Sequence, residues 1–300
     1  MIDLRRLAKL VEDHGDLLDA PVAPFRLSTP TSSREVDTDV EPAIMGVVNL
    51  SKDSWYRESV AIGTAAALRL GRLQVAQGAH LIDVGAESIQ DYAEDVAAEQ
   101  QVEQLVPVIE GLTQDGIVVS VEAYHPSVVK ASFEAGARVL NLTGSGHDEE
   151  MFALAAQYDA SVILCHVGGT HPRDLDPDAD PGADPIAHMT PQFEARIAAA
   201  RAAGVTSISL DPGIGFGFRW APTMDARVAY QSHVLLETFR LRALGLPLCH
   251  ALPAARHLWG EEVRSAEHFF AVLAHLGRTG IYRVHEVPRV AAALRTLHTL

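Results

Sequence analysis

From Ala43 onward, short apolar runs alternate with longer stretches of helical periodicity. The runs are Ala43–Asn49, Ala79–Gly85, Ile117–Val121, Val139–Asn141, Ser161–Cys165, Ser207–Asp211, Leu246–His250 and Ile281–His285. Each is bounded by turn-forming or polar residues, the pattern of a buried strand. Between and after them, helices are predicted over Thr64–Gln77, Ala97–Leu112, Pro126–Ala135, Glu149–Gln157, Pro191–Ala203, Met224–Leu244, Ser265–Leu276 and Pro288–His298. Thr64 suits an N-cap, and Pro126 suits a first turn. Alternating strands and helices imply parallel strands joined by right-handed crossovers. Eight such pairs match the size of a closed (β/α)8 barrel of the TIM type, typically ~250 residues. A doubly wound open sheet is the alternative.

The first 42 residues fall outside this alternation. Leu4, Leu7, Leu10, Val11 and Leu18 make an amphipathic helix pattern over residues 3–18,. Ala20–Pro42, rich in Pro, Ser, Thr and Asp, predicts an irregular connection. The expected organisation is an N-terminal helix and linker over 1–42 and a barrel over 43–300. The helix would cover the bottom of the barrel or pack on another subunit. In the last helix, Val287, Val290, Leu294 and Leu297 form an apolar stripe suited to the core or an interface,.

Charge and composition narrow the function. A net charge of −15 argues against nucleic acid and against anionic membrane surfaces as partners,. No apolar run reaches the length of a membrane span, and the N-terminus lacks an apolar signal-peptide core. The two cysteines, Cys165 and Cys249, lie in apolar runs without metal-ligand spacing. A cytoplasmic location with buried, reduced thiols is expected. The segment 168–190 carries Asp174, Asp176, Asp178, Asp180 and Asp184 among prolines. It lacks the terminal Glu of a calcium loop, so a solvated acidic lid or a disordered loop is expected there.

Polar residues stand at nearly every strand end: Asn49, Glu87 with Ser88, Glu122, Asn141, His166, Asp211, His250, Arg283 and His285. In a barrel those ends converge on one mouth, where such folds keep their chemistry. Asp211 opens the loop Pro212–Gly217, with three glycines. Arg283 and His285 alternate across Val284 and share a face. They suit an anion, since phosphate sites of such barrels lie after the last two strands. Asn49 offers a neutral oxygen for Mg²⁺. Asn141 and Asp211 suit a heteroaromatic ring with donor and acceptor edges.

Six pieces, in order and at strand ends, resemble the dihydropteroate synthase family of pterin-binding barrels. They are Ile44–Trp55, Ile82–Ser88, Ser120–Tyr124, Val139–Asn141, Leu210–Gly217 and Arg283–Val287. The family joins 6-hydroxymethyl-7,8-dihydropterin diphosphate to p-aminobenzoate and releases diphosphate. The resemblance implies an ionisation-led substitution, with Mg²⁺ and cationic residues stabilising the departing diphosphate. It implies catalytic roles for Asp53, Arg283 and His285 and a metal contact for Asn49. Glu122, Asn141, Asp211, Phe216 and Arg256 would bind substrate. A homodimer and closure of the first two loops over the ligand are also implied. Trp55 and Tyr56, in the first loop, would stack on a ring or shield the mouth.

The chain departs from the family pattern at several positions. Glu122 and Ala123 replace the Asp and Thr of S-V-D-T, and Leu142 replaces the Asp after the fourth-strand Asn. The added methylene of Glu122 shifts a carboxylate by about an ångström, enough to disturb a fitted contact. Leu252–His257 stands where the family has S-R-K, so Arg256 takes the place of a Lys with one residue of shift, and Phe218 follows Gly217 in place of a Lys. The second loop reads Glu87–Tyr92 rather than E-S-T-R-P-G. Anion and metal positions are kept, ring positions partly so, and acceptor positions largely lost. Three functional readings follow. The leading one is a divergent transferase that displaces diphosphate from a pterin-methyl or related donor with an amine or other nucleophile. The others are a dihydropteroate synthase of folate biosynthesis and a non-catalytic pterin-binding or scaffold homologue.

Overall fold

The computed structural model describes residues 2–54, 56–88, 93, 95–171, 173–175, 180–215 and 221–299. After α1 (Leu4–His14) and a hairpin of β1 (Phe25–Ser28) and β2 (Ser33–Val36), the chain enters a regular alternation. It runs β3 (Ala43–Asn49), α2 (Thr64–Ala76), β4 (Leu81–Gly85), α3 (Ala98–Gln114), β5 (Val119–Glu122), α4 (Pro126–Glu134), β6 (Val139–Leu142), α5 (Asp148–Gln157) and β7 (Ser161–Cys165). Two short strands follow, β8 (Gly169–His171) and β9 (Asp174–Leu175), then α6 (Pro185–Ala202), β10 (Ile208–Asp211), α7 (Met224–Glu237) and β11 (Cys249–Ala251). The chain closes with α8 (Arg256–Trp259), α9 (Ala266–Leu276), β12 (Ile281–Val284) and α10 (Val287–His298).

Eight strands pair in parallel in the order β10-β7-β6-β5-β4-β3-β12-β11. A parallel bridge between Leu210 and Leu248 joins the two ends into a ring. The result is the (β/α)8 barrel. Helix burial follows the expected stripe. In α3, Leu105, Val108, Ile109 and Leu112 are fully buried, the spacing of one face of a helix. In α10, Val287, Val290 and Leu294 are buried and Leu297 packs on the same core. Gly277 ends α9 where a Cβ would fall 1.8 Å from the Leu235 carbonyl oxygen, so only glycine permits this approach to α7,.

Several boundaries differ from the sequence pattern. Helix α6 starts at Pro185, earlier than Pro191, because Asp184 caps it by accepting from the Ala187 N–H at 3.0 Å. The N-cap of α2 is Gly63, at φ 85°, with Thr64 the first helical residue. The main correction concerns Ala20–Pro42, expected to be irregular. Its Phe25, Leu27 and Val36 are buried against Met45, Leu81, Ile163 and Ile281 of the strands. Ser161 Oγ donates to the Arg26 carbonyl at 2.7 Å, and the Arg26 N–H donates to Ser207 Oγ at 3.0 Å. Both serines stand at strand beginnings, so the hairpin seals the barrel's N-terminal end. Helix α1 instead lies at the side, its Arg6 reaching His233 of α7.

Candidate active site

The strand C-termini surround a cavity of about 390 Å³. Register brings the polar ends together: Asn49 pairs level with Gly85, Gly85 with Glu122, and Glu122 with Asn141. Asn49, Glu87, Ser88, Glu122, Asn141, Asp211, Arg256, Arg283 and His285 all line the cavity. Three residues expected at the mouth are not among its described lining. His250 turns away and bonds Thr238 Oγ1 at 2.8 Å, and burial pushes its imidazole down to about 3. His166 packs near His188 and Phe193, and burial lowers it to about 4. Asp53 stays in the first loop, where its backbone carbonyl accepts from Ser88 Oγ at 3.2 Å. Phe216 and Trp55 lie outside the described residues.

The floor is a closed ionic network. Arg283 Nε lies 2.7 Å from Asp83 Oδ2, and its Nη2 lies 2.5 Å from Glu122 Oε2. Asp83 is fully buried and also accepts from Ser120 Oγ at 2.6 Å and Asn141 Nδ2 at 3.1 Å. Burial works against the Arg283 charge, but Glu122 and Asp83 outweigh it and raise its pKa. Burial raises the Glu122 carboxyl above its usual range, opposed by Arg283. Two carboxylates therefore already lie against the Arg283 guanidinium, which also lines the cavity.

Asp211 ends β10 beside this network. Burial pushes it up to about 6, against the hydrogen bond it receives from the Gly213 N–H at 2.8 Å. Gly213 reaches that position at φ 71°, a conformation open to glycine,. Glu122, Asn141 and Asp211 thus give a floor rich in acceptors, suited to a ring edge bearing N–H groups.

Other lining residues escaped the sequence pattern. Arg227 of α7 and His257 of α8 add cationic or titratable groups to the wall. His257 Nε2 lies 3.0 Å from Asp225 Oδ1. Asp83 escaped as a working residue, although a carboxylate in the middle of an apolar strand signals a paired buried charge. Tyr56 closes one side, its ring stacked on His285 with centroids 4.4 Å apart and planes at 18°. The acidic segment includes the antiparallel pair β8 and β9, and its Asp176 and Asp178 lie outside the described residues. Arg173 reaches across to Glu87, and its Nη1 lies 2.8 Å from Asp95 Oδ1. Asp184 is held by Arg240 at 2.7 Å.

Asn49 donates its amide to Ser54 Oγ and Ser59 Oγ, each at 2.8 Å. Its main-chain carbonyl accepts from the Ala61 N–H at 2.8 Å, while no hydrogen bond to its side-chain Oδ1 occurs among the described residues. No group of three His, Cys, Asp or Glu side chains able to hold a metal occurs among the described residues. A site with one neutral protein oxygen fits Mg²⁺ carried largely by substrate oxygens.

The site is thus the mouth of a closed parallel barrel with a polar, acceptor-rich floor and a partly cationic rim. Residues 45–252 match the family model described as "Pterin binding enzyme". The chain is 32% identical to the dihydropteroate synthase of Streptococcus pyogenes over 258 residues, covering 82% of this chain and 90% of that one. The solved dihydropteroate synthase of Xanthomonas albilineans with 4-aminobenzoic acid superposes with a TM-score of 0.75 at 27% identity, covering 93% and 98%. That of Thermus thermophilus with 4-aminobenzoate gives 0.74 at 28%, covering 92% and 99%. The chain belongs to the dihydropteroate synthase family of pterin-binding enzymes. No helix among its described residues is long and apolar enough to cross a membrane.

Proposed function

We propose that the protein joins a dihydropterin methyl diphosphate to p-aminobenzoate, the dihydropteroate synthase reaction. The observation that carries this reading is the polar floor of Glu122, Asn141 and Asp211, the last two buried, beneath a cavity of about 390 Å³. Relatives solved with 4-aminobenzoate support the acceptor.

The floor orients the pterin, with the carboxylates accepting from its N–H groups. The bond from the methylene carbon to the diphosphate oxygen breaks, and its electron pair leaves with diphosphate. The electron-rich ring stabilises the methylene cation. The arylamine nitrogen then forms the new C–N bond and releases a proton to solvent. The protein's contribution is positioning and stabilisation of the leaving anion. His285, Arg256 and Arg227 line the pocket for that second task. Arg283 holds Glu122 and Asp83 in place and adds charge from below. Asn49 would hold Mg²⁺, which supplies charge neutralisation of the diphosphate. Asp53 takes no bond-making step; its backbone ties the first loop to Ser88.

The test is calorimetric titration with 6-hydroxymethyl-7,8-dihydropterin diphosphate and Mg²⁺ without an acceptor. Micromolar binding supports the reading, and no binding at any accessible concentration sinks it. A second reading, another amine as acceptor, is favoured by the sequence after Glu87 and Ser88, where the Thr, Arg and Pro of E-S-T-R-P-G are replaced. Diphosphate release with neutral arylamines but not p-aminobenzoate would select it. We also carry a homodimer as a proposal, supported by exposed Leu258, Phe269 and Leu276 around α8 and α9; sedimentation checks it.

A further inference from the structure

The Glu122 side chain is one methylene longer than the Asp of the family pattern, and two neighbours take up the extra reach. Arg283 Nη2 holds Oε2 at 2.5 Å. The Tyr124 hydroxyl donates to Oε1 at 3.3 Å. Tyr124 stands two residues after β5 and is buried. Its ring is held in turn from β8, where the His171 ring meets it at 67° with centroids 4.4 Å apart. His171 is itself fixed, since its Nδ1 accepts the Arg173 N–H at 3.1 Å. Glu122 lines the cavity, whereas Tyr124 and His171 are not among its described lining.

A glutamate has one more rotatable bond than an aspartate, so fixing its carboxylate costs more entropy. Contacts on both oxygens set its position and its tilt together. A carboxylate offers about four acceptor sites, so two contacts leave capacity for a ring N–H. We infer that Tyr124 is a positioning residue: its hydroxyl sets the tilt at which the longer Glu122 side chain presents its carboxylate to the cavity. This deepens the proposed function and rests on it for the identity of the ligand as a pterin. Burial pushes the Tyr124 hydroxyl well above its ordinary range, so it stays protonated and donates. The charged groups bearing on Glu122 are Arg283 of β12, Asp83 of β4 and Asp211 of β10. Burial raises the Glu122 carboxyl, and the Tyr124 bond pulls with Arg283 against that rise. The hydroxyl therefore also favours the ionised form that accepts a ring N–H. A purely structural tyrosine would need only its ring, packed on His171.

The variant Tyr124→Phe separates the two roles, because it keeps the ring and removes the hydroxyl. Carboxyl ¹³C NMR of the ligand-free full chain, with the Glu122 signal assigned through Glu122→Gln, reads the first effect. The Glu122 titration should move to higher pH in Tyr124→Phe. The dissociation constant for 6-hydroxymethyl-7,8-dihydropterin diphosphate with Mg²⁺ should rise roughly threefold to tenfold, the net worth of one hydrogen bond. In Glu122→Asp the shorter carboxylate no longer reaches Tyr124, so adding Tyr124→Phe should change that constant by less than about twofold. Equal losses in the two backgrounds overturn the inference, and so does a Glu122 titration unmoved by Tyr124→Phe. The wild type carries its own test should a variant not fold: the Tyr124 ring-carbon signal must follow the Glu122 titration, and a signal that ignores it overturns the inference. A wild type that binds no donor would sink the proposed function, while the titrations of the ligand-free chain would still decide whether Tyr124 holds Glu122.

Discussion

Arg283 and Glu122 face each other across the barrel floor, Nη2 to Oε2 at 2.5 Å, with Asp83 on the guanidinium's other side. The side chain of Glu122 is long enough to make this contact. A buried cation between two carboxylates is a structural element before it is a ligand contact. Arg283→Met takes the cation from fully buried Asp83 and from largely buried Glu122, and breaking such a buried pair costs about 3–5 kcal/mol. Urea denaturation should show that loss without any ligand. Unchanged stability would mean that the guanidinium serves only a bound anion.

Asp211 predicts a pH dependence. Burial holds its carboxyl up near 6 in the folded protein. A raised carboxyl pKa favours the folded state while protonated, and that contribution is lost as pH rises through about 6,. Ligand binding runs the other way, because a ring N–H needs the ionised acceptor. Pterin affinity should therefore fall as pH drops through about 6, and Asp211→Asn should remove the step. Titration calorimetry on either side of that pH checks this. A step that persists in Asp211→Asn would assign it to another group.

Tyr56 links the first loop to the end of β12 through its stack on His285 and its bond to Glu286. Tyr56→Phe keeps the stack, and Glu286 retains Arg264 at 2.5 Å, so a small effect is expected. Tyr56→Ala removes the stack, and an aromatic contact is worth about 0.5–1.5 kcal/mol. KM for the donor should then rise up to about tenfold at the upper end. Equal effects from both variants would show that the hydroxyl, not the ring, matters.

The hairpin at the base predicts that residues 1–42 are no dispensable extension. Phe25 is fully buried among strand residues. Phe25→Ala should cost about 3–5 kcal/mol, the usual range for a large core truncation. Deleting residues 1–42 should abolish cooperative unfolding. A truncated chain with an unchanged thermal midpoint would show that the barrel closes without its plug.

The barrel was legible because its two periodicities differ, and because carboxylates and amides stand where apolar runs stop. Asn141 and Asp211 are visible in that way. The hairpin was not, since Pro, Ser and Thr masked a short alternation in which only Phe25, Leu27 and Val36 are apolar and inward. Arg283 was legible as a mouth residue, but not its partners. Its neighbours come from β4 and β5, and only the register of a closed sheet brings Asp83 and Glu122 to it. His166 and His250 also end strands, yet their rings turn into the helix layer, a choice made by packing. Glu267 had a faint signal: it shares the buried face of α9 with Phe270, Ala271 and Ala274. A carboxylate on an apolar stripe implies a buried partner, although nothing in the sequence says that the partner is His285, whose Nδ1 lies 2.6 Å from Glu267 Oε1.

The most direct test of the proposed chemistry is turnover. The wild-type protein is mixed with 6-hydroxymethyl-7,8-dihydropterin diphosphate, p-aminobenzoate and Mg²⁺, and dihydropteroate and diphosphate are followed together. The prediction is equal amounts of both products, each dependent on both substrates. Diphosphate released without dihydropteroate would contradict the acceptor, and neither product, with no donor bound, would contradict the function itself.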